Sequence, residues 1–440
     1  MPSDAPPFKP LRYDEDYRYL ADPARRTDFW DPVKYMPMGS GSDGYLSFGG
    51  ELRERAETFS DPGFGLSGGA KETYLLHRAL ISADFYWTAS VRAFAQIGDE
   101  LVADKNKPLG SADLNRGDLN QAFIDIRLPL TENSDLVMRT GRQEISLGSQ
   151  RLVSTRDPQN IRRSFDGIRL TGAIAGISVD VIATRPVLLR PGYFDDSSDH
   201  KQAFWGMYTT TPFSSRQGID LYYLIFENSA ARYGTKTGFE NRKSLGTIVF
   251  GAASGWDWNF EAVYQFGTFG DQDIKAWTFA SDSGYMFSAI PWTPRLGLKA
   301  NIASGDHNPR DKTLGTFNPL FPKFGYFSEA DLVSPNNFYD VQPSLTITPT
   351  KDVSLTLGWD AIWRQTNQDA VYTVPGVQVK ATAGRGGREI GNQVSLDAAW
   401  QVDRHIELKA SAVHFNAGNA IRSAGGHDVD FVIWSGAYKF

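Results

Sequence analysis

Cysteine is absent from the 440 residues, which excludes disulfides, thiolate nucleophiles and thiolate metal sites together. No run of about eighteen apolar residues occurs anywhere, so a helical membrane span is excluded as well. A strong excess of either charge is also lacking. The 45 Lys and Arg against 51 Asp and Glu leave a formal net charge of -6, which is too mild for bulk nucleic-acid binding, so no nucleic-acid partner is expected. The six histidines, at 77, 200, 307, 405, 414 and 427, include no pair at helical metal-ligating spacing. The glycines at 384–387 do not follow a strand and open a helix, so they are not a phosphate cradle. Neither a metal nor a cofactor is expected. The opening Met1 to Pro7 has no basic or apolar leader character, and the expectation is that a signal peptide has been removed.

What the chain does have is aromatics, 28 Phe, 18 Tyr and 11 Trp, together with 42 Gly. Its mean hydropathy of -0.36 would ordinarily suggest a soluble protein. A transmembrane barrel, however, alternates lipid-facing and lumen-facing residues and averages to a polar composition. Period-2 alternation is indeed the dominant pattern from Tyr45 to the last residue. Trp258, Phe260, Ala262, Tyr264 and Phe266 share one face while Asp257, Asn259, Glu261 and Gln265 share the other. Leu296, Leu298, Ala300 and Ile302 likewise oppose Arg295, Gly297, Lys299 and Asn301.

The pattern predicts strands at 45–58, 73–85, 88–97, 119–128, 135–143, 164–174, 177–185, 201–210 and 218–226. A second set falls at 242–252, 256–267, 273–287, 293–303, 341–348, 353–364, 388–400, 405–415 and 428–440. About eighteen strands, an even number, can close antiparallel into one ring. Linkers sort by parity. Those at 129–134, 175–176, 253–255, 349–352 and 402–404 are short, whereas those at 98–118, 144–163, 186–200, 227–241, 304–340, 365–387 and 416–427 are long. Short periplasmic turns alternating with long extracellular loops are the asymmetry of an outer-membrane barrel. The last strand presents Val432, Trp434, Gly436, Tyr438 and a terminal Phe440 on one face, a signal suited to the barrel-assembly machinery.

The fold expected is therefore all-β: a single transmembrane antiparallel barrel over 45–440, preceded by a periplasmic or lumen-plugging segment over 1–44. A ring this wide cannot fill its centre from its walls alone. Its inward positions carry many charges, each costly in a dry core even when paired, so the lumen is expected to be a hydrated channel. The pore-lining candidates are Arg53, Arg55, Arg92, Asp125, Arg127, Arg139, Arg169, Glu261, Arg295, Lys299, Arg364 and Glu389. Either they set the ion preference of a channel or they stiffen the wall as a ladder with Glu51, Glu57 and Asp125. The loop at 304–340 is rich in aromatics. Phe317, Phe321, Phe324 and Tyr326 are expected to fold into or over the mouth and narrow it. In the same loop Asp306, Asn308 and Asp311 loosely suggest calcium ligation, but the twelve-residue loop with its terminal Glu is missing. Arg151, Arg156, Arg162 and Arg163 form a basic cluster in the loop at 144–163, suited to an anionic solute, to Asp157 and Asp166, or to lipopolysaccharide phosphates.

Several of these stretches resemble the alginate-export family of outer-membrane proteins. They are Gly141-Arg142-Gln143-Glu144 with Gly148, Arg151 and Leu152, then Arg163-Ser164-Phe165-Asp166-Gly167-Ile168, Phe317 to Pro322, Glu389-Ile390-Gly391, and the N-terminal stretch at 19–35. The resemblance implies an eighteen-stranded barrel with a gating loop and an arginine-lined, polyuronate-conducting lumen. The expected function is a non-enzymatic channel in the outer membrane of a Gram-negative bacterium. It would pass polar or anionic solutes or a polysaccharide such as alginate, embedded in outer-membrane lipid and lipopolysaccharide. A barrel enzyme and a plugged structural or adhesive barrel are the alternatives.

Overall fold

The computed structural model describes residues 6–38, 44–66, 68, 71–131, 134–374 and 376–440. Residues 1–5 and 39–43 of the N-terminal segment, and 132–133 of the first predicted short turn, lie outside the described residues. Eighteen strands of nine residues or more form the wall. They are β1 (Tyr45–Phe59), β2 (Glu72–Tyr86), β3 (Val91–Ala103), β4 (Asn115–Thr131), β5 (Ser134–Glu144) and β6 (Ser164–Ile174). Next come β7 (Ile177–Leu188), β8 (Gln202–Ser214), β9 (Gln217–Tyr233), β10 (Lys236–Ala253), β11 (Trp256–Phe269) and β12 (Gln272–Met286). The last are β13 (Arg295–Ala303), β14 (Phe338–Thr350), β15 (Val353–Trp363), β16 (Glu389–Gln401), β17 (Ile406–Ala417) and β18 (Val429–Lys439).

Each strand pairs antiparallel with its sequence neighbours, and β1 pairs with β18 from Glu51 opposite Lys439 to Phe59 opposite Phe431. That seam closes the ring, so no row of backbone N–H and C=O groups is left open to hydrocarbon. The outward face is the apolar one: Leu52, Ile81, Ile124, Leu245, Phe260, Tyr264, Leu357 and Leu396 are exposed. Their chain neighbours Arg53, Asp125, Ser244 and Glu261 are buried inside.

Two of the long connections are shorter than the alternation suggested, because their strands continue further: 98–118 shrinks to 104–114 and 227–241 to 234–235. The predicted loop at 227–241 is a hairpin in which β9 and β10 continue to Tyr233 and Lys236. Gly234, at φ +61°, makes its tight turn. Gly141 and Gly167, in the stretches that carry the family resemblance, face each other across β5 and β6. Their φ values are +130° and +153°, and a Cβ at either would stand 2.2 or 2.3 Å from a backbone carbonyl of the next strand. No other residue fits such an approach. Replacing Leu357 by Arg, in mid-strand among Leu345 and Leu396, is expected to destabilise the barrel by about 2–4 kcal/mol. Urea-dependent refolding into lipid vesicles, followed by tryptophan fluorescence, measures it.

Candidate solute pathway

Three external connections turn inward instead of standing over the mouth: 145–163, 304–337 and 364–388. The first two lock together, Phe321 N donating to Leu152 O (2.8 Å) and Ser154 N to Phe321 O (3.0 Å). The Phe321 ring meets Phe165, Phe204 and Phe226 edge-on at 5.1, 5.3 and 5.5 Å between centroids. Those three rings point inward from β6, β8 and β9, so this sector of the inner wall is apolar where period-2 reasoning expected polar groups. The loop that covers it supplies the reason. The predicted constriction residues Phe317, Phe321, Phe324 and Tyr326 are all buried. Gln265 pins the loop further, accepting from Asn318 N (2.9 Å) and donating to Asn318 O (2.7 Å).

The charged positions separate into paired and unpaired groups. Arg139 forks onto Asp125 (2.7 and 2.9 Å), Arg92 onto Asp84 (2.7 and 2.7 Å) and Arg295 onto Asp257 (2.8 and 2.5 Å). Arg169 grips Asp180 in the same way. Glu261 accepts from Tyr222 (2.6 Å), Ser149 (2.7 Å) and Arg151 (3.0 Å). Arg55 bridges Glu57 (2.5 Å) and Glu329 (3.0 Å). These are ladders that hold the wall and its loops together, and removing one partner of a pair as buried as Arg139–Asp125 costs about 3–5 kcal/mol. Arg53 differs. Its donors go to the backbone carbonyls of Asp157 (2.9 Å) and Gln159 (2.8 Å), and among the described residues no carboxylate lies within ion-pairing distance. Lys299 is half-buried, and Arg127 stands exposed at the short-turn rim beside Asp135 at 3.1 Å.

Two of the sequence-based candidates do not line the bore. Arg364 lies just past β15, fully enclosed, and donates to the carbonyls of Asp369, Thr382, Arg385 and Gly387. It organises the 364–388 loop. Glu389 is exposed because Trp363 pairs with Glu389 while Ile362 pairs with Gly391. The extra residue, Ile390, turns inward, and the bulge flips the alternation on which the assignment rested. Conversely, period-2 reasoning passed over Arg78, although its inward position in β2 was legible. Arg78 is fully buried between Glu51 (2.5 Å) and Asp157 (3.1 Å). Asp157 and Glu329 could not be read from any strand, since they arrive on infolded loops.

Together these groups line a narrow cavity of about 70 Å³ between the β17-β18-β1-β2 wall and the loops. Arg53, Arg55, Arg78, Lys409 and Lys439 face Glu51, Asp157, Glu329 and Glu407 there. On its other side lies the N-terminal segment. Tyr13 is buried against Phe94 and Phe123, and its hydroxyl donates to Glu144 O (2.8 Å). The Pro10 carbonyl accepts from Arg162 (2.8 Å) of the infolded loop. Arg12 donates to the Phe440 carbonyl (2.6 Å), and Trp30 stacks on the Phe440 ring at 4.1 Å.

A closed ring of antiparallel strands with an apolar exterior and a charged interior defines an outer-membrane channel protein for polar solutes. The chain belongs to the alginate export family, whose model matches residues 44–435. No curated protein matches it. Its fold is similar to that of OccK11 (OpdR) of Pseudomonas aeruginosa, at 13% identity and TM-score 0.59 over 90% of this chain and 96% of that one. A BenF-like porin of Pseudomonas fluorescens Pf-5 is as similar, at 13% identity and TM-score 0.59 over 90% and 99%. OccK2 (OpdF) of Pseudomonas aeruginosa, solved in complex with glucuronate, has 11% identity and TM-score 0.58 over 90% and 96%.

Docking of the N-terminal segment is expected to depend on pH through Lys34. Burial, with Arg12 and Arg404 nearby and only Glu15 and Asp28 opposing, pushes its ammonium down to about 7. Between there and the ordinary value near 10.5 the undocked segment binds the extra proton, so docking strengthens as pH rises through that window and is weakest below 7. Limited proteolysis of residues 6–38 should accordingly be slower at pH 9 than at pH 6. Lys34→Met should flatten the difference.

Proposed function

We propose that this protein is a channel, closed at rest, that passes acidic saccharides through the Arg53 cavity without chemistry. The observation that carries the reading is the composition of that cavity, in which five cations meet four carboxylates. Arg53 brings a charge that no carboxylate neutralises directly. A guanidinium fork is suited to a uronate carboxylate, which it binds bidentately. The glucuronate held by OccK2 and the family's association with alginate support that substrate class. The N-terminal segment serves as the periplasmic stopper, and the 304–337 loop as the constriction. Lipopolysaccharide surrounds the outer rim, and the aromatic face of β18 ending at Phe440 is the mark read by the barrel-assembly machinery.

A second reading, a permanently plugged structural barrel, is favoured by one observation: packed loop side chains fill much of the bore. Planar-bilayer recordings separate the two. The full chain should open rarely, and deletion of residues 1–38 should give larger, sustained conductance that glucuronate oligomers block. If the truncated protein is also silent, the structural reading stands. Replacing Arg53 by Glu in the truncated protein should move the reversal potential toward cation preference; an unchanged potential removes Arg53 from the pathway.

A further inference from the structure

The connection 189–201 lies over the outer ends of β3 and β4. There one carboxylate oxygen from each of Asp118, Asp195 and Asp196 falls within 4.8 Å of the other two. The backbone holds some of them. Asp118 Oδ2 accepts from Asp195 N (2.8 Å) and Asp196 N (3.1 Å), and Asp196 Oδ1 accepts from Arg190 N (2.7 Å). Asn115 Nδ2 donates to Asp196 Oδ2 at 2.8 Å.

A second observation is independent of this clustering. Glu100 and Asn115 are 1% and 4% exposed, and both line one small cavity with Asp118 and Asp196. Glu100 Oε1 and Asn115 Oδ1 are buried without any hydrogen-bond partner, and so is Asp195 Oδ1. Three unanswered acceptor oxygens beside a carboxylate cluster are the signature of a missing positive charge, since each orphan costs about 1–3 kcal/mol. The neighbouring arginines do not answer them. Arg142 stays 4.0 Å from Asp118 and hydrogen-bonds Asp166 (2.8 Å), while Arg162, also on the cavity wall, forks onto Glu144 (2.7 and 2.7 Å).

We propose that the Asp118, Asp195 and Asp196 cluster is a calcium site, these three being its carboxylate ligands, with Glu100 and Asn115, on the wall of the adjoining cavity, turning onto the ion as further oxygen donors. All the donors are oxygens, with neither imidazole nor sulfur, which selects a hard cation. An irregular set drawn from two strand ends and a loop suits calcium, which accepts flexible coordination, over magnesium, which demands a regular octahedron. The cavity has room for about one water-sized particle. A bound ion would tie the 189–201 loop to β3 and β4 and brace the outer rim above the Arg53 pathway. The site is separate from the acidic residues 306 and 311 of the long loop, where Asn308 N and Thr313 N already donate to Asp306 and Asp311 (3.0 and 2.7 Å).

The test is calorimetric titration of calcium chloride into the full chain, refolded in detergent without lipopolysaccharide and stripped with chelator. Saturation at one calcium per chain is expected. Asp196→Asn and Glu100→Gln should each weaken binding at least about tenfold, while Asp311→Asn should leave it unchanged. Calcium should also raise the melting temperature of the parent and not of Glu100→Gln. Absence of saturable binding in the parent, parent-like affinity in both Asp196→Asn and Glu100→Gln, or magnesium binding as tightly as calcium would each overturn the assignment.

Discussion

The structure rests on a single requirement, that every backbone polar group in the membrane finds its partner inside the protein. The pairing of β1 with β18 is where that requirement is met last. Once it is met, the width of the ring follows from the number of strands, and the width obliges the interior to be occupied by something other than the wall's own side chains. The inward-turned loops, the N-terminal segment and the charged ladders are answers to that obligation. The apolar exterior and the polar interior are one pattern seen from its two sides.

How the interior is occupied decides what the lumen can do. In the sector of β6, β8 and β9 the occupant is an apolar cluster of buried rings around Phe321. Elsewhere the occupants are ion pairs. A carboxylate already gripped by a guanidinium, as Asp125 is by Arg139, contributes stiffness more than selectivity, because the pair presents little net field to a passing solute. Arg53 is built differently, since its hydrogen bonds go to neutral carbonyls, and we assign selectivity to it for that reason.

The eighteen strands and most of their faces were legible in the sequence because lipid imposes period 2 along each strand. Places where the alternation misled have local causes. Glu389 faces outward because one unpaired residue, Ile390, shifts the phase. Arg364 looked like a wall residue but lies beyond the strand end, where a loop wraps it. The apolar inner faces at Phe165, Phe204 and Phe226 contradict a uniformly polar bore, and nothing in their own strands says why, since their partner Phe321 lies 95 or more residues away in sequence. The loop-borne Asp157 and Glu329 belong to the same class. Periodicity reports which side of a wall a residue is on and is silent about what a folded-back loop brings to it.

The last residue of the chain links two events that would otherwise be separate. Phe440 completes the seam by exchanging hydrogen bonds with Gly50 at 2.9 and 3.0 Å, and it also supplies the carbonyl for Arg12 and the ring for Trp30. Two of the contacts that seat residues 6–38, those of Arg12 and Trp30, thus require the cylinder to be zipped first. Closure of the ring and completion of this part of the docking share one residue, and the first is the condition of the second.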